Sequence, residues 1–550
     1  MERRKFVQAV SVSSAAVIAA GCSSDDSSTT SPVSTSAFSY PEQPPATDPT
    51  NTDALAPFPV QQAPRPVAKP RSYELSLPDH RGIDSSDPTG LGVLELAALL
   101  RAGALTSERL TRALLDRAED KDKEINSFVR RYPDTALAAA READARRRSE
   151  GDRASLLCGI PLALKDVFAV RGRPLTAGLP TLLGDNVAVG DCTVWARLKA
   201  DGMPLLGHVQ THQMAIGSLT EQTANPWNFH KVPGGSSGGS AAALAARFTP
   251  AALGTDTAGS LRIPASACNV CSIKPTAGLV SVYGTIPVAW SFDNVGPMAR
   301  SAADLGPLLA AIAGFDPFDP RTNGAIDWPQ SYPSTPRASG LVGTRLGIPA
   351  TAPALDPGVA DSYRDMQATL RSLGAEVIAV ETPAPMNYLD MIIGQGVEIG
   401  AYQAQWWPAR RDAYTRYLTE SFAFLLAHEP KAIAYHQLLR ERTRRQQHWC
   451  ALLRDHALDA ILLPVLGTEL VDRPPFGDYG PQEGMAMSPQ TNDANYCGLP
   501  AVAIPAQPST VTGLPVGVQL MGAPYSDAHL LQIAVDIQAH TDYHAARPHI

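Results

Sequence analysis

Short apolar runs alternate with amphipathic helical patterns along most of the chain. Residues 461–465 and 516–520 have the length and composition of buried strands, whereas residues 193–200 and 240–247 have helical spacing. Alternation of this kind is typical of a β-sheet covered by helices. The pattern therefore predicts one large α/β body, over residues 85–545, without internal repeats.

The first part of this body is predicted to be helical. Leucine spacing over residues 94–100 predicts a short helix, and Ser107 is the predicted N-cap of a second helix with Leu110 on its apolar face. The alanine- and arginine-rich residues 136–148 predict another helix with a solvated face. Further on, the proline- and glycine-rich residues 316–340 predict a long surface loop.

Composition and charge narrow the classes of function. The chain has 550 residues, 44% of them hydrophobic, which is enough for a large buried core. A formal net charge of −8 argues against binding to nucleic-acid backbones, which requires basic patches. No run is long and apolar enough to span a membrane. Seven cysteines are too few for a disulfide scaffold, and the Cys268/Cys271 pair predicts two packed thiols or a local disulfide, with a redox role as an alternative.

The N-terminus has the anatomy of an export signal over residues 1–21. Arg3 and Arg4 precede an apolar run that ends Ala-Ala-Gly-Cys. This start resembles a twin-arginine signal, and its end resembles a lipoprotein cleavage box that would lipidate Cys22. The alternatives are an ordinary signal peptide cleaved elsewhere and a cytoplasmic protein with a chance apolar start. The first interpretation predicts an exported, periplasmic or cell-surface protein that contacts the membrane only through its lipid.

Residues 22–75 are rich in Ser, Thr, Pro, Asp and Gln. Such a segment buries too little apolar surface to offset its ordering entropy. It is predicted to be a flexible tether between the anchor and the body.

Lys165 ends an apolar run that begins at residue 159. Lysine is scarce, with nine among 46 basic residues, so one in apolar surroundings is conspicuous. Burial would lower its pKa by about 3–5 units, which would make it a usable base near neutral pH. The alternative is a lysine at a strand end that extends its ammonium to solvent.

A glycine- and serine-rich segment, Pro-Gly-Gly-Ser-Ser-Gly-Gly-Ser, covers residues 233–240 and runs into an alanine-rich helix start. A phosphate-binding loop is disfavoured because no Gly-Lys-Ser/Thr ending follows. A nucleophile elbow fits the letters but needs a preceding apolar strand, which residues 228–233 do not supply. A flexible linker does not explain the next segment, Gly-Thr-Asp-Thr-Ala-Gly-Ser over residues 254–260. Small residues before Ser260 would let backbone N–H groups converge as an oxyanion hole.

The order of these segments resembles the amidase signature family, enzymes that hydrolyse or transfer carboxamides. The likeness covers roughly residues 90–540 and extends to the flanking segments 272–276, 293–298 and 513–519. It implies a single α/β domain with a central mixed β-sheet covered on both faces by helices. Neither a metal nor another cofactor is implied, and the partner is a small-molecule amide.

The resemblance also implies roles for individual residues. Ser260 would be the nucleophile, Lys165 the distal base, and Ser236 the bridging serine after a cis peptide bond. The implied oxyanion hole consists of the N–H groups of four residues: Thr257, Ala258, Gly259 and Ser260. The implied supporting residues are Gly235, Ser237, Asp256 and Arg262. The chain departs from the family pattern at Ala258, at residues 269–271, and in the short stretch 220–228.

Three other functions fit parts of the sequence. The first is that of the glutamyl-tRNA amidotransferase component that acts on glutamine to amidate glutamyl-tRNA, which requires cytoplasmic partners and conflicts with the export signal. The second is a catalytically silent binding lipoprotein. The third is a Ser-His-Asp hydrolase, although no histidine lies in a motif typical of a triad base.

The substrate class is less constrained. Aromatic residues concentrate between residues 383 and 447, where they predict either an acyl or aryl pocket or a core beneath helices. Aryl, peptide C-terminal, fatty, and cyclic or polymer-derived amides all fit, and the oligomeric state stays open.

Overall fold

The structure is a computed structural model that describes residues 76–550. Within that range it leaves out residues 185, 323–331, 385, 387, 408, 428–431, 482–486 and 488–489. The predictions for residues 1–75, which include the export signal, Cys22 and the tether, lie outside the described residues.

One large mixed sheet organises the described chain. Its strands are β1 (Phe128–Arg131), β2 (Leu162–Lys165), β3 (Leu205–Val209), β4 (Ala251–Asp256), β5 (Cys271–Lys274), β6 (Asn294–Ala299), β7 (Arg345–Pro349), β8 (Glu376–Val380), β9 (Ala460–Pro464), β10 (Ala501–Pro505) and β11 (Gly517–Met521). Their spatial order is β1-β3-β2-β4-β6-β5-β10-β11-β9-β7-β8.

Strand direction changes across the sheet. The central strands from β4 through β6, β5, β10 and β11 to β9 are antiparallel neighbours. On one side β3, β2 and β4 are parallel, and on the other β9, β7 and β8 are parallel. The predicted fold class, an α/β domain with a mixed sheet flanked by helices, is confirmed.

Helices flank this sheet. They are α1 (Val93–Arg101), α2 (Ser107–Ile125), α3 (Pro133–Glu150), α4 (Pro180–Leu183), α5 (Thr193–Ala200), α6 (Gly238–Ala245), α7 (Arg262–Cys268), α8 (Ala302–Ile312), α9 (Pro357–Ser372), α10 (Tyr388–Gln403), α11 (Arg416–Ala427), α12 (Ala432–Asp455), α13 (Asn492–Tyr496) and α14 (Asp527–Gln538). Among the described residues, none of these helices combines the length and apolarity that crossing a membrane requires.

Most elements predicted from the apolar pattern are confirmed. Helix α5 has its predicted bounds, and β9 and β11 begin within one residue of their predicted starts. Helix α6 begins at Gly238, two residues before its prediction, because the glycine pair already adopts helical geometry. The described parts of residues 316–340 form neither α-helix nor strand, as expected for a surface loop.

The predicted N-cap of α2 is wrong. Thr106 is the N-cap: its backbone is extended, and its Oγ1 accepts a hydrogen bond from the N–H of Arg109 at 3.2 Å. Ser107 is instead the first helical residue, and its hydroxyl donates to the Gly159 carbonyl at 2.7 Å. The serine therefore joins the helix to the segment leading into β2.

The two cysteines of the Cys-x-x-Cys pattern are free, buried thiols. Cys268 ends α7 and Cys271 begins β5, and each sulfur lies near a backbone carbonyl oxygen rather than near the other cysteine. Burial raises the pKa of the Cys271 thiol to about 12, which keeps the unreactive thiol form. The packed-thiol interpretation is confirmed.

Candidate active site

The sheet brings two motif segments to one edge. Strands β2 and β4 are parallel neighbours, so their carboxyl ends, at Lys165 and Asp256, lie at the same edge of the sheet. The glycine-rich segment precedes α6, and Ser260 lies between β4 and α7. In α/β sheets, ligands bind preferentially at the carboxyl ends of strands.

Lys165 is fully buried, with 0% of its surface exposed. Its Nζ lies 2.7 Å from Ser236 Oγ and 2.7 Å from Thr255 Oγ1. Burial lowers the pKa of Lys165 to about 7, against the opposing effects of the Asp293 and Asp256 charges. The alternative of an ammonium extended to solvent is therefore wrong, and a large fraction of this amine is neutral near pH 7.

The Gly235–Ser236 peptide bond is cis. The Ser236 carbonyl accepts hydrogen bonds from the N–H of His212 at 3.0 Å and from Thr220 Oγ1 at 3.2 Å. A side chain at position 235 would begin 2.7 Å from the carbonyl carbon of Ser218, so the close backbone approach requires glycine there. These contacts hold the Ser236 hydroxyl toward Lys165.

Ser237 ties the two serine segments together. Its N–H donates to the Ser260 carbonyl at 3.2 Å, and its hydroxyl donates to the Thr255 carbonyl, also at 3.2 Å. Ser260 itself is 8% exposed, which leaves its side chain near the end of a narrow opening rather than in the core. The lysine, both motif serines and the end of β4 thus lie in one cluster.

Asp256 and Arg262 form a buried ion pair beneath the loop. Two guanidinium nitrogens of Arg262 each lie 3.1 Å from a different carboxylate oxygen of Asp256, and both side chains are fully buried. Burial alone would raise the pKa of Asp256, but the charge and hydrogen bonds of Arg262 hold that pKa below its usual range. Arg262 also donates to the side-chain oxygens of Gln519 and Asn495.

The loop before Ser260 presents fewer candidate oxyanion donors than the sequence suggests. The Gly259 N–H donates to the Asp256 carboxylate at 2.7 Å, so it is occupied inside the loop. Within the described chain, the N–H groups of Thr257, Ala258 and Ser260 have no acceptor. Three of the four expected donors are therefore available to a developing oxyanion.

Asp293 is a buried acid next to this loop that the sequence analysis did not single out. Its carboxylate accepts hydrogen bonds from the Thr257 hydroxyl and from the N–H of Val288. Burial raises the pKa of Asp293 to about 6, although the Thr257 hydrogen bond opposes the shift. Its position within an Asp-Asn-Val-Gly-Pro segment was the available signal. The sequence analysis also missed Thr255, the penultimate residue of β4.

The histidines have structural partners of their own. Nδ1 of His208 lies 2.7 Å from the Tyr132 hydroxyl, and burial lowers the pKa of His208 to about 4. Nδ1 of His212 accepts from two backbone N–H groups, so its proton is on Nε2, 3.1 Å from the Tyr479 hydroxyl. Among the described residues, no histidine side chain hydrogen-bonds to the hydroxyl of Ser236 or Ser260; His428 lies outside them.

The aromatic residues of the later region pack on one another. Trp407, Tyr414 and Phe422 form mutual edge-to-face contacts with ring centroids 5.4–5.5 Å apart, and Tyr417 stacks on Tyr479. This packing favours an aromatic core beneath helices. The side chains of Tyr388 and Met391 lie outside the described part. The described residues contain no cluster of His, Cys, Asp and Glu suited to a metal ion.

Thr255→Val is expected to slow turnover about tenfold without unfolding the protein. The change removes one of the two hydroxyls that fix Lys165 Nζ while preserving side-chain shape, and a misplaced base loses part of the roughly 10²–10⁴-fold that general base catalysis contributes. The measurement is the rate constant for Ser260 acylation by a fluorophosphonate. Thr510→Val, at an exposed hydroxyl that binds Asp361, is the matched control; equal rates in the two variants would contradict the role of Thr255.

Comparison with known sequences agrees with this arrangement. The family described as Amidase matches residues 109–531. The chain is 36% identical over 491 residues to a glutamyl-tRNA(Gln) amidotransferase component, its A-type chain, from Chloroflexus aurantiacus, and the match covers 84% of this chain and 98% of the relative.

Solved structures of similar fold include two amide hydrolases. The native peptide amidase of Stenotrophomonas maltophilia is 30% identical, with a TM-score of 0.68, and the match covers 83% of this chain and 98% of that one. A 6-aminohexanoate cyclic dimer hydrolase complexed with substrate is 26% identical, with a TM-score of 0.69 and coverage of 84% and 99%. With the motifs in order and the family match extending over most of its length, this chain belongs to the amidase family.

Proposed function

We propose that this protein hydrolyses a carboxamide C–N bond through Ser260, Ser236 and Lys165. The observation that carries the proposal is the fully buried Lys165 amine, 2.7 Å from the Ser236 hydroxyl. A serine hydroxyl is a weak nucleophile until a base accepts its proton. A neutral amine held against a hydroxyl is such a base, and its second hydrogen bond, to Thr255, uses an N–H and leaves the lone pair for Ser236.

The reaction then has two halves. As Ser260 attacks the amide carbonyl, its proton moves to Ser236 while the Ser236 proton moves to Lys165. The protonated relay next delivers a proton to the leaving nitrogen, the C–N bond breaks, and an acyl-enzyme forms on Ser260. Water attacks the acyl-enzyme with the same relay as base, and the carboxylate leaves with the serine hydroxyl restored.

The loop before Ser260 stabilises the negative charge of each tetrahedral intermediate. The N–H groups of Thr257, Ala258 and Ser260 are the donors, in a site from which most solvent is excluded. The Asp256 carboxylate supports them indirectly, because it binds the N–H groups of Gly259 and Leu261 and so fixes the turn. Amide substrates are also supported by the similar peptide amidase and cyclic dimer hydrolase.

The test is covalent labelling of the full chain with a fluorophosphonate, followed by peptide mass mapping. We expect the adduct on Ser260 and the loss of amide hydrolysis in proportion to labelling. Ser260→Ala should abolish both. An adduct on another residue, or hydrolysis that survives in Ser260→Ala, would contradict the proposal, and an unlabelled folded protein would favour a silent binding function.

A second candidate function comes from the sequence relatives. The glutamyl-tRNA(Gln) amidotransferase relative is 36% identical over most of this chain, which favours glutamine as an amide donor. The discriminating experiment measures ammonia release from glutamine and from a panel of aryl, peptide C-terminal, fatty and cyclic amides. Release confined to glutamine, with the chain recovered in the cytosol bound to partner proteins, would favour the amidotransferase.

We also propose that Cys22 carries a lipid that anchors the exported protein. The proposal rests on the Ala-Ala-Gly-Cys ending of the N-terminal apolar run. Expressed in a bacterium, the full chain is expected in the membrane fraction, and Cys22→Ala should move most of it to a soluble fraction. Cys158→Ala, which removes a buried thiol, is the control. Equal membrane shares for Cys22→Ala and the unaltered chain would contradict the anchor.

A further inference from the structure

The carbonyl groups of the loop that leads to Ser260 all have donors. The Asp256 carbonyl accepts from Asn495 Nδ2 at 2.8 Å, and the Thr257 carbonyl accepts from Gln395 Nε2 at 2.9 Å. The Ala258 carbonyl accepts from the Thr491 hydroxyl. The Gly259 carbonyl accepts from the N–H of Ile263 at 2.7 Å, and the Ser260 carbonyl from Ser237.

Each of these bonds also fixes the direction of an N–H group. In a planar trans peptide, the carbonyl of one residue and the N–H of the next point in opposite directions. A donor that holds the Thr257 carbonyl outward therefore aims the Ala258 N–H inward. In the same way, Asn495 sets the Thr257 N–H, and the first turn of α7 sets the Ser260 N–H.

The outer donors differ in how exclusively they hold their carbonyls. Asn294 Nδ2 is a second, longer donor to the Asp256 carbonyl, at 3.5 Å. Thr491 sets the peptide whose N–H belongs to Gly259, which is already bound to Asp256. Among the described residues, Gln395 is the one donor to the Thr257 carbonyl.

Gln395 is itself held in place by its helix. Glu398, one turn further along α10, is 1% exposed and accepts hydrogen bonds from the N–H of Ser291 at 2.9 Å and from the Tyr435 hydroxyl at 2.7 Å. These contacts fix the face of α10 that carries Gln395. The glutamine lies 135 residues after Ser260, outside every motif that the sequence analysis used.

We infer that Gln395 is a positioning residue for catalysis: its side-chain amide holds the Thr257 carbonyl outward and thereby aims the Ala258 N–H at the oxyanion. This inference rests on the proposed function, since it concerns the same acylation of Ser260. Gln395 acts on the transition state through the peptide it holds, so it affects the chemical step more than the binding of the reactant.

The test measures the acylation of Ser260 by a fluorophosphonate, which also develops an oxyanion and needs no knowledge of the natural substrate. Rates at increasing probe concentration separate the limiting rate constant from the half-saturating concentration. Gln395→Met keeps side-chain length but has no donor. Gln446→Met is the matched control, because Gln446 Nε2 makes the equivalent bond to the Cys497 carbonyl, at 2.7 Å, away from the loop.

We expect Gln395→Met to lower the limiting acylation rate about tenfold, a part of the roughly 10²–10³-fold that a whole oxyanion donor contributes. The half-saturating concentration should stay within about twofold, and Gln446→Met should match the unaltered chain. Gln395→Leu, a second variant without a donor, should repeat the loss if Gln395→Met folds poorly.

Two results would overturn the inference while leaving the proposed function intact. One is equal limiting rates in Gln395→Met and Gln446→Met, with Ser260 still labelled in the unaltered chain. The other is a raised half-saturating concentration with an unchanged limiting rate, which would make Gln395 a binding residue. Absence of a Ser260 adduct in the unaltered chain would instead remove the proposed function, and this inference with it.

Discussion

Lys165→Met is expected to lower turnover by about 10⁴-fold while the protein stays folded. The substitution keeps the length and apolar stem of the side chain but removes the amine 2.7 Å from the Ser236 hydroxyl. General base catalysis is worth up to about 10⁴-fold, and here the whole relay ends at this one nitrogen. The measurement is the initial rate on an amide that the unaltered chain hydrolyses, with circular dichroism to verify folding.

Lys165→Arg separates charge from proton transfer. Arginine keeps a cation in the site but does not lose its proton at accessible pH, so it should be as inactive as the methionine variant. The histidine variants His436→Ala, His448→Ala and His456→Ala should stay close to the unaltered rate. An active Lys165→Met, or loss of activity in one of these histidine variants, would favour a Ser-His-Asp mechanism instead.

Arg262→Leu is expected to lower the free energy of unfolding by about 3–5 kcal/mol. The change leaves the Asp256 carboxylate fully buried without its cation, and an uncompensated buried charge costs that much. It also removes the donors to Gln519 on β11 and Asn495 on α13, so the link between the loop and the later strands is lost. The measurement is the midpoint of urea unfolding, compared at an unchanged slope.

The control for this stability effect is an exposed ion pair. Arg112 and Glu108 lie on one face of α2, 3.1 Å apart, with side chains 55% and 35% exposed. Pairs of this kind contribute about 0–1 kcal/mol, so Arg112→Leu should hardly move the urea midpoint. Equal shifts for Arg262→Leu and Arg112→Leu would show that the buried pair is not what holds the loop.

The residues that the sequence predicted most securely are those close to one another in short motifs. Strand patterns placed β9 and β11, and the glycine-rich segment located the start of α6 to within two residues. The apolar run before Lys165 correctly suggested burial, because a strand in the centre of a sheet has both faces covered. The choice between a buried and an extended amine needed the neighbouring strand, which supplies Thr255.

The residues that the sequence did not reveal come from distant parts of the chain. Gln395, Thr491 and Asn495 reach the loop from α10 and from α13 with its preceding residue. Nothing in their local sequence marks them, since each is a polar residue on a helix or in a turn. Only the packing of those elements against the end of β4 makes them partners of the loop carbonyls.

The Ser107 error has the same physical cause on a smaller scale. Thr106 and Ser107 are both good N-cap residues, so helix propensity does not choose between them. The choice is made by a tertiary contact, because the Ser107 hydroxyl is engaged by the carbonyl of Gly159.

The most direct test of a neutral Lys165 is the pH dependence of Ser260 acylation by a fluorophosphonate. Burial lowers the pKa of Lys165 to about 7, and only the unprotonated amine accepts a proton. The rate constant should therefore rise about tenfold per pH unit below pH 7 and level off above it. Because Asp293, with a pKa of about 6, also titrates nearby, the measurement is repeated with Asp293→Asn.

Removing the Asp293 charge removes an effect that raises the pKa of Lys165, so the rising limb in Asp293→Asn should persist and move to lower pH. A rate that is flat between about pH 5.5 and 8.5, or a limb that disappears in Asp293→Asn, would show that the amine of Lys165 is not the base.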